Sequence, residues 1–172
     1  MTIIDELLKD KTTKSKEKTK QISISLLNNT ISISNLISYA QHAKNSVKAT
    51  CIEAIEFATK QNPTIANEEA LHFITQTLTA ETPRVKWESA KAIGNIAHLF
   101  PSKLDSTIAN LLDNSEHSGT VVRWSTAYAL GEILKLQTPI NEALLPTLET
   151  ICNREEKNSI KKVYLAAIKT VS

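Results

Sequence analysis

At 172 residues, with 41% hydrophobic and 22% charged residues, the chain has enough apolar content for one compact domain or one short repeat array. Its two cysteines, Cys51 and Cys152, fit no CxxC or other metal spacing and are too few for a disulfide scaffold, so they read as buried free thiols. The net charge of +2 resides in residues 1–30, where six Lys face four acids; residues 31–172 are neutral, which weakens any case for non-specific nucleic-acid binding.

Taken in order, Ile3, Ile4, Leu7 and Leu8 stand at helical spacing and predict a short opening helix over residues 2–10. The Lys-rich run KDKTTKSKEKTK follows; with Asp10 and Glu17 interspersed and no aromatic or Arg, it reads as a solvated helix face or linker rather than a phosphate-binding tail. A second helix is expected from Lys14 to Leu27, although ISIS there also fits a strand. Only three Gly and five Pro occur in the chain, which favours helices joined by short connections throughout.

From Ile31 onward the chain repeats. Val85, Lys86, Trp87, Ala90, Ala92, Ile93, Gly94 and Ile96 return as Val122, Arg123, Trp124, Ala127, Ala129, Leu130, Gly131 and Ile133, each 37 positions on. Around this pair four units align. A first helix in each carries Ile33, Leu71, Ile108 and Leu145, then Leu36, Ile74, Leu111 and Leu148 on the same face. A second carries Val47, Val85, Val122 and Ile160, then Ala54, Ala92, Ala129 and Ala167, then Ile55, Ile93, Leu130 and Ile168. The second helices should start near Asn45, Pro83, Thr120 and Asn158. Thr82-Pro83, Thr138-Pro139, Ser102 with Asp105, and Asn67 read as helix entrances with capping side chains. Small Ala on the inner face permits close stacking of hairpins, and glycine at the matching positions 94 and 131 predicts close backbone approach there.

The predicted architecture is an all-α superhelix of four to five helical hairpins. Residues 1–30 form a degenerate Lys-rich cap, and four units cover approximately 31–62, 63–100, 101–137 and 138–172. Hairpins of this period whose second helix reads V[KR]WxxAxA[IL]GxI resemble HEAT repeats of the short bacterial or armadillo-like type, most closely in the two central units. The unit containing NSVKATCIEAIEFA lacks the Trp and Gly, and NSIKKVYLAAIKTV keeps fewer of the positions still. The resemblance implies a right-handed solenoid whose second helices line a concave face, and a role in binding macromolecules, usually proteins.

Trp87 and Trp124, the only tryptophans, hold equivalent positions with Lys91 and Tyr128 one turn on. Facing the groove they would form an aromatic patch able to anchor a partner; facing the next layer they would be packing residues. The column Lys48, Lys86, Arg123 and Lys161 is basic throughout. It forms either a ladder of free charge about 10 Å apart or a set of ties to nearby acids and carbonyls. The expected function is a non-catalytic scaffold engaging a protein partner around Trp87, Trp124 and Tyr128, with Lys48, Lys86, Lys91 and Arg123 supplying charge.

The alternative is a nucleic-acid-binding protein resembling the DNA-alkylation-repair glycosylases. Those enzymes place an Asp beside groove tryptophans, where this chain has Lys91 and Tyr128. The four histidines are scattered and no nucleotide-binding or hydrolase motif occurs, so no cofactor, metal or catalytic residue is expected. Glu68 and His72, four apart on one helix, read as a surface pair. Without a leader pattern or a run approaching the roughly 20 apolar residues that span a bilayer, a cytoplasmic location and no membrane contact are expected. Self-association through the last unit is a further expectation.

Overall fold

The computed structural model describes residues 2–172. Among these the chain is helical with no strand. The helices are α1 (Ile3–Lys9), α2 (Ser15–Leu27), α3 (Ile33–Gln41), α4 (Asn45–Gln61), α5 (Glu68–Thr77), α6 (Pro83–Ile96), α7 (Asp105–Asn114), α8 (Thr120–Leu134), α9 (Asn141–Arg154) and α10 (Asn158–Val171), with single 3-10 turns at Pro63–Ile65 and Ala97–Leu99. The ISIS stretch lies within α2. The second helices begin at the four positions that the repeat predicts.

Successive helices pair as hairpins, and the hairpins stack. Their second members form one continuous row, α2, α4, α6, α8, α10, while α3, α5, α7 and α9 lie behind it and touch one another less. The columns of the repeat explain this asymmetry. Ala54, Ala92, Ala129 and Ala167 are all buried, so neighbouring helices of the row approach closely. Leu36, Ile74, Leu111 and Leu148 are fully buried between the row and the outer helices, with Ile55, Ile93 and Leu130. Equivalent side chains therefore lie in register, and the core runs the length of the array.

Gly94 and Gly131 are both points of close approach. A Cβ on Gly94 would run into the Tyr128 ring, and one on Gly131 would stand 3.1 Å from the Ala167 Cβ.

Helix entrances follow the expectation in part. Asn67 caps α5 by accepting from the Ala70 N–H at 2.9 Å. Thr82 makes no side-chain cap, since Pro83 at the first helical position already sets the backbone and removes a donor. Ser102 does not cap α7, whose N-cap is Leu104. Thr138-Pro139 lies in a turn before α9, where the Thr138 carbonyl accepts from the Asn141 N–H. Both cysteines are buried free thiols, and burial pushes Cys51 up to about 12.

Candidate functional site

The row of second helices carries the two tryptophans and the residues one turn beyond them. Positions four apart on one helix share a face, so Trp87, Lys91 and Asn95 line one stretch of α6 as Trp124, Tyr128 and Glu132 line α8. Trp124 is 40% exposed and stacks on Tyr128, with ring centroids 6.1 Å apart and planes 11° off parallel. Trp87 is half-buried.

The Tyr128 ring lies over Gly94. Its hydroxyl donates to Asn95 Oδ1 at 2.7 Å, and Asn95 Nδ2 donates to the Glu56 carbonyl at 3.0 Å and to Thr59 Oγ1 at 3.3 Å. This chain of bonds joins α8, α6 and α4 and fixes the platform on which Trp124 rests. Burial first, then the negative charges of Glu132 and Glu56, pushes the Tyr128 phenol up to about 12, so it remains a donor at neutral pH.

Beside the aromatics lies a carboxyl pair that the repeat pattern does not announce. Glu88 is fully buried, and Lys91 Nζ stands 2.9 Å from its Oε1. Neither Glu88 oxygen has a donor in hydrogen-bonding geometry when both carboxyls are ionised. Glu53 of α4 lies beside it, and a proton held on Glu88 gives one of its oxygens a bond to donate to Glu53.

Burial, then the Glu53 contact, raises Glu88 to about 7, against the pull of Lys91. Glu53 is also disfavoured by burial as an ion. Even so, the Glu88 contact, a 2.8 Å bond from Thr19 Oγ1 and the positive charges of Arg84 and Lys91 together hold it below the usual carboxylate range. The sequence offered one signal for this pair: Glu88 is an acid in a column that otherwise reads Thr50, Ser125 and Val163.

The basic column behaves as a set of ties at the two positions where it is bonded. Lys86 Nζ donates to the Leu78 carbonyl at 3.2 Å and to Asn114 Oδ1 at 2.8 Å, bridging its own hairpin to the next. Arg123 holds Glu155 through two parallel bonds of 3.0 and 3.1 Å and donates to the His117 and Ser118 carbonyls. Lys48 and Lys161 are half-buried. Of the residues singled out from sequence, Trp124 and Tyr128 come into contact and Lys91 joins Glu88; Lys86 and Arg123 turn to the hairpin ends. Glu68 pairs with Lys103 of the next unit rather than with His72. Among the described residues, no three His, Cys, Asp or Glu side chains gather to hold a metal.

A stacked helical-hairpin array with a continuous inner row defines a repeat solenoid. This chain has the HEAT/armadillo-like form of it. The fold is similar to the designed armadillo repeat protein YIII(Dq)4CqI, at 18% identity and TM-score 0.76 over 98% of this chain and 81% of that one. It is similar to the designed armadillo repeat protein YIII(Dq.V1)4CPAF in complex with peptide (KR)4, at 18% identity and TM-score 0.78 over 98% and 80%. It is also similar to a chain in the complex of CpcE and CpcF of phycocyanin lyase from Nostoc sp. PCC7120, at 16% identity and TM-score 0.73 over 95% and 96%. No protein-family model and no curated protein matches the chain. Among the described residues no helix is long and apolar enough to cross a membrane.

Proposed function

We propose that the chain is a non-enzymatic repeat scaffold that captures a protein partner on the face of its second helices, centred on Trp87, Trp124 and Tyr128. The observation that carries this reading is the exposed Trp124 held against Tyr128, itself fixed through Asn95 to two further helices. A large aromatic surface ordered before binding loses little side-chain entropy on contact, which suits an anchor for a partner side chain.

Similarity to a designed armadillo repeat protein in complex with a peptide, and to a chain in a two-protein complex, supports a protein partner. Charge on this face is of both signs. Lys91 is paired to Glu88, and the partly exposed Glu53 and Glu132 lie on the same face, so the partner meets acids as well as the Lys91 cation. That mixture, with Lys86 and Arg123 engaged elsewhere, argues against a phosphate backbone as the ligand. Glu88, the acid next to Trp87, is fully buried and so is poorly placed to support a sugar cation in the groove.

The test is a Trp87→Ala, Trp124→Ala double variant used against wild type in pull-downs from the native source. It should keep the helical circular dichroism spectrum and lose the captured partner; capture at wild-type levels rejects the reading. A labelled-DNA shift assay at two salt concentrations should show no specific complex.

A further inference from the structure

Between the N-terminal ends of α8 and α10 lies a mostly apolar cleft of about 250 Å³, lined by Val121 and Trp124, the buried Ile160, and Thr120, Ser159 and Lys157. Val121 is 50% exposed, and Trp124, three residues on and sharing its face of the helix, stands beside it in solvent. Stacking of the hairpins accounts for neither. The Val121 column holds Ser46, Arg84 and Ser159 in the other units, and the Trp124 column holds Ala49, Trp87 and Lys162. An aliphatic side chain and an indole left together in water, where the equivalent layers place polar residues, mark a surface for contact.

The charge beside this cleft is positive. Residues 157–172 hold four lysines and no acid, whereas residues 31–156 hold ten basic and fourteen acidic residues. Lys157 is the one charged side chain of the lining, and Lys162 is the repeat equivalent of Trp124 on the adjoining helix; both are exposed. The surrounding acids are engaged elsewhere. Arg123 holds Glu155, Arg154 holds Glu116 and Lys135 holds Glu132, while Glu156 lines the neighbouring cavity with Arg123 and Arg154.

We propose that the cleft takes one large apolar side chain from an acidic segment of a protein partner, whose carboxylates meet Lys157 and Lys162. This rests on the scaffold reading above and names the chemistry of its partner. The apolar residue supplies burial against Trp124, Val121 and Ile160, and the flanking acids supply orientation and a salt-sensitive encounter. A nucleic-acid backbone suits the surface less. Leaving the cleft along the row, it would enter the acid-rich layers, where Glu132 and Glu53 lie on the same face.

Selection of random peptides displayed on phage, against the immobilised full chain, tests this. Enriched peptides should combine glutamate or aspartate with a large apolar residue, and their affinity should fall as salt rises. In fluorescence anisotropy, Lys157→Glu with Lys162→Glu should weaken their binding by roughly tenfold. Val121→Ser, which installs the residue of two other units, should weaken it by roughly tenfold as well. All three positions are exposed, so the variants should keep the wild-type circular dichroism and thermal midpoint. Lys14→Glu with Lys16→Glu makes the same charge change at exposed positions on α2 and its N-cap, and should leave the affinity unchanged.

Enrichment of basic peptides, enrichment of none, or affinities indifferent to the cleft variants overturns the proposal. So does tighter binding of a single-stranded oligonucleotide, or of phosphatidylserine vesicles, than of the enriched peptides. The scaffold reading is judged apart, by the pull-down with the Trp87→Ala, Trp124→Ala variant. Loss of the native partner there, with capture intact in the paired lysine variant, leaves that reading standing and removes this one; capture unaffected by the tryptophan variant removes both.

Discussion

The substitution Glu88→Gln should stabilise the protein above neutral pH and leave it nearly unchanged in mild acid. The Glu88 carboxyl is fully buried between α4 and α6, with Glu53 facing it and Lys91 at 2.9 Å, and it is raised from 4.5 to about 7. Between those two values the folded chain holds a proton that the unfolded chain has released. Stability therefore falls with rising pH, by about 1.4 kcal/mol per pH unit for one such group, and the contribution is fully present below the unfolded value and lost through the folded one. From pH 5.5 to 8 the loss attributable to Glu88 is on the order of 2 kcal/mol, most of it by pH 7.

The amide introduced by Glu88→Gln keeps a donor for Glu53 and has nothing to ionise, so the variant's profile over the same range should be flatter by that amount. Glu53, held low, loses its contribution only in stronger acid and does not enter this window. Urea unfolding at half-unit steps from pH 5.5 to 8 measures the difference, and a carbon-detected titration of the Glu side chains locates the group directly. Parallel profiles for parent and variant would refute the shared-proton arrangement.

Gly94→Ala should gain about 0.5–1 kcal/mol of helix propensity but lose about 1–3 kcal/mol to collision with the Tyr128 ring, a net destabilisation accompanied by changed Trp124 fluorescence. In a Tyr128→Ala background the same substitution should become stabilising, which a double-mutant cycle in urea reads. Arg123→Ala strands the buried Glu155 carboxylate and should cost about 3 kcal/mol or more, seen as a lower thermal midpoint that Glu155→Gln in the same chain partly restores. Gln137, at φ 54, holds a left-handed conformation just past α8, so Gln137→Gly should stabilise by up to about 1 kcal/mol in chemical unfolding.

The framework was legible in the sequence because each framework residue recurs. Val85, Ala92 and Ile93 are met again one unit later in the same surroundings, and a column that is apolar four times over marks a face turned to the core. The starts of α4, α6, α8 and α10 follow for the same reason. Helix entrances were less legible: a Thr before Pro looks like a cap, but proline supplies the backbone angle alone at Pro83, and at Pro139 the chain turns once more before α9 begins.

The partners of the basic column show where periodicity stops informing. Lys86 and Arg123 are equivalent by repeat, 37 positions apart, yet Lys86 bonds Asn114 and Arg123 bonds Glu155, residues that do not share a column. The same contact is thus rebuilt in successive units from unrelated positions, and no alignment of the units could pair them. The Glu53–Glu88 contact is of this kind too, since Glu53 aligns with Lys91 and Glu88 with Thr50, and only the stacking of α4 on α6 brings the two carboxyls together. Repetition constrains what every layer needs in order to stack. A property confined to one layer must come from residues that break the pattern, and here these gather at the α4–α6 junction beside the tryptophans, the stretch of the inner row least interchangeable with any other.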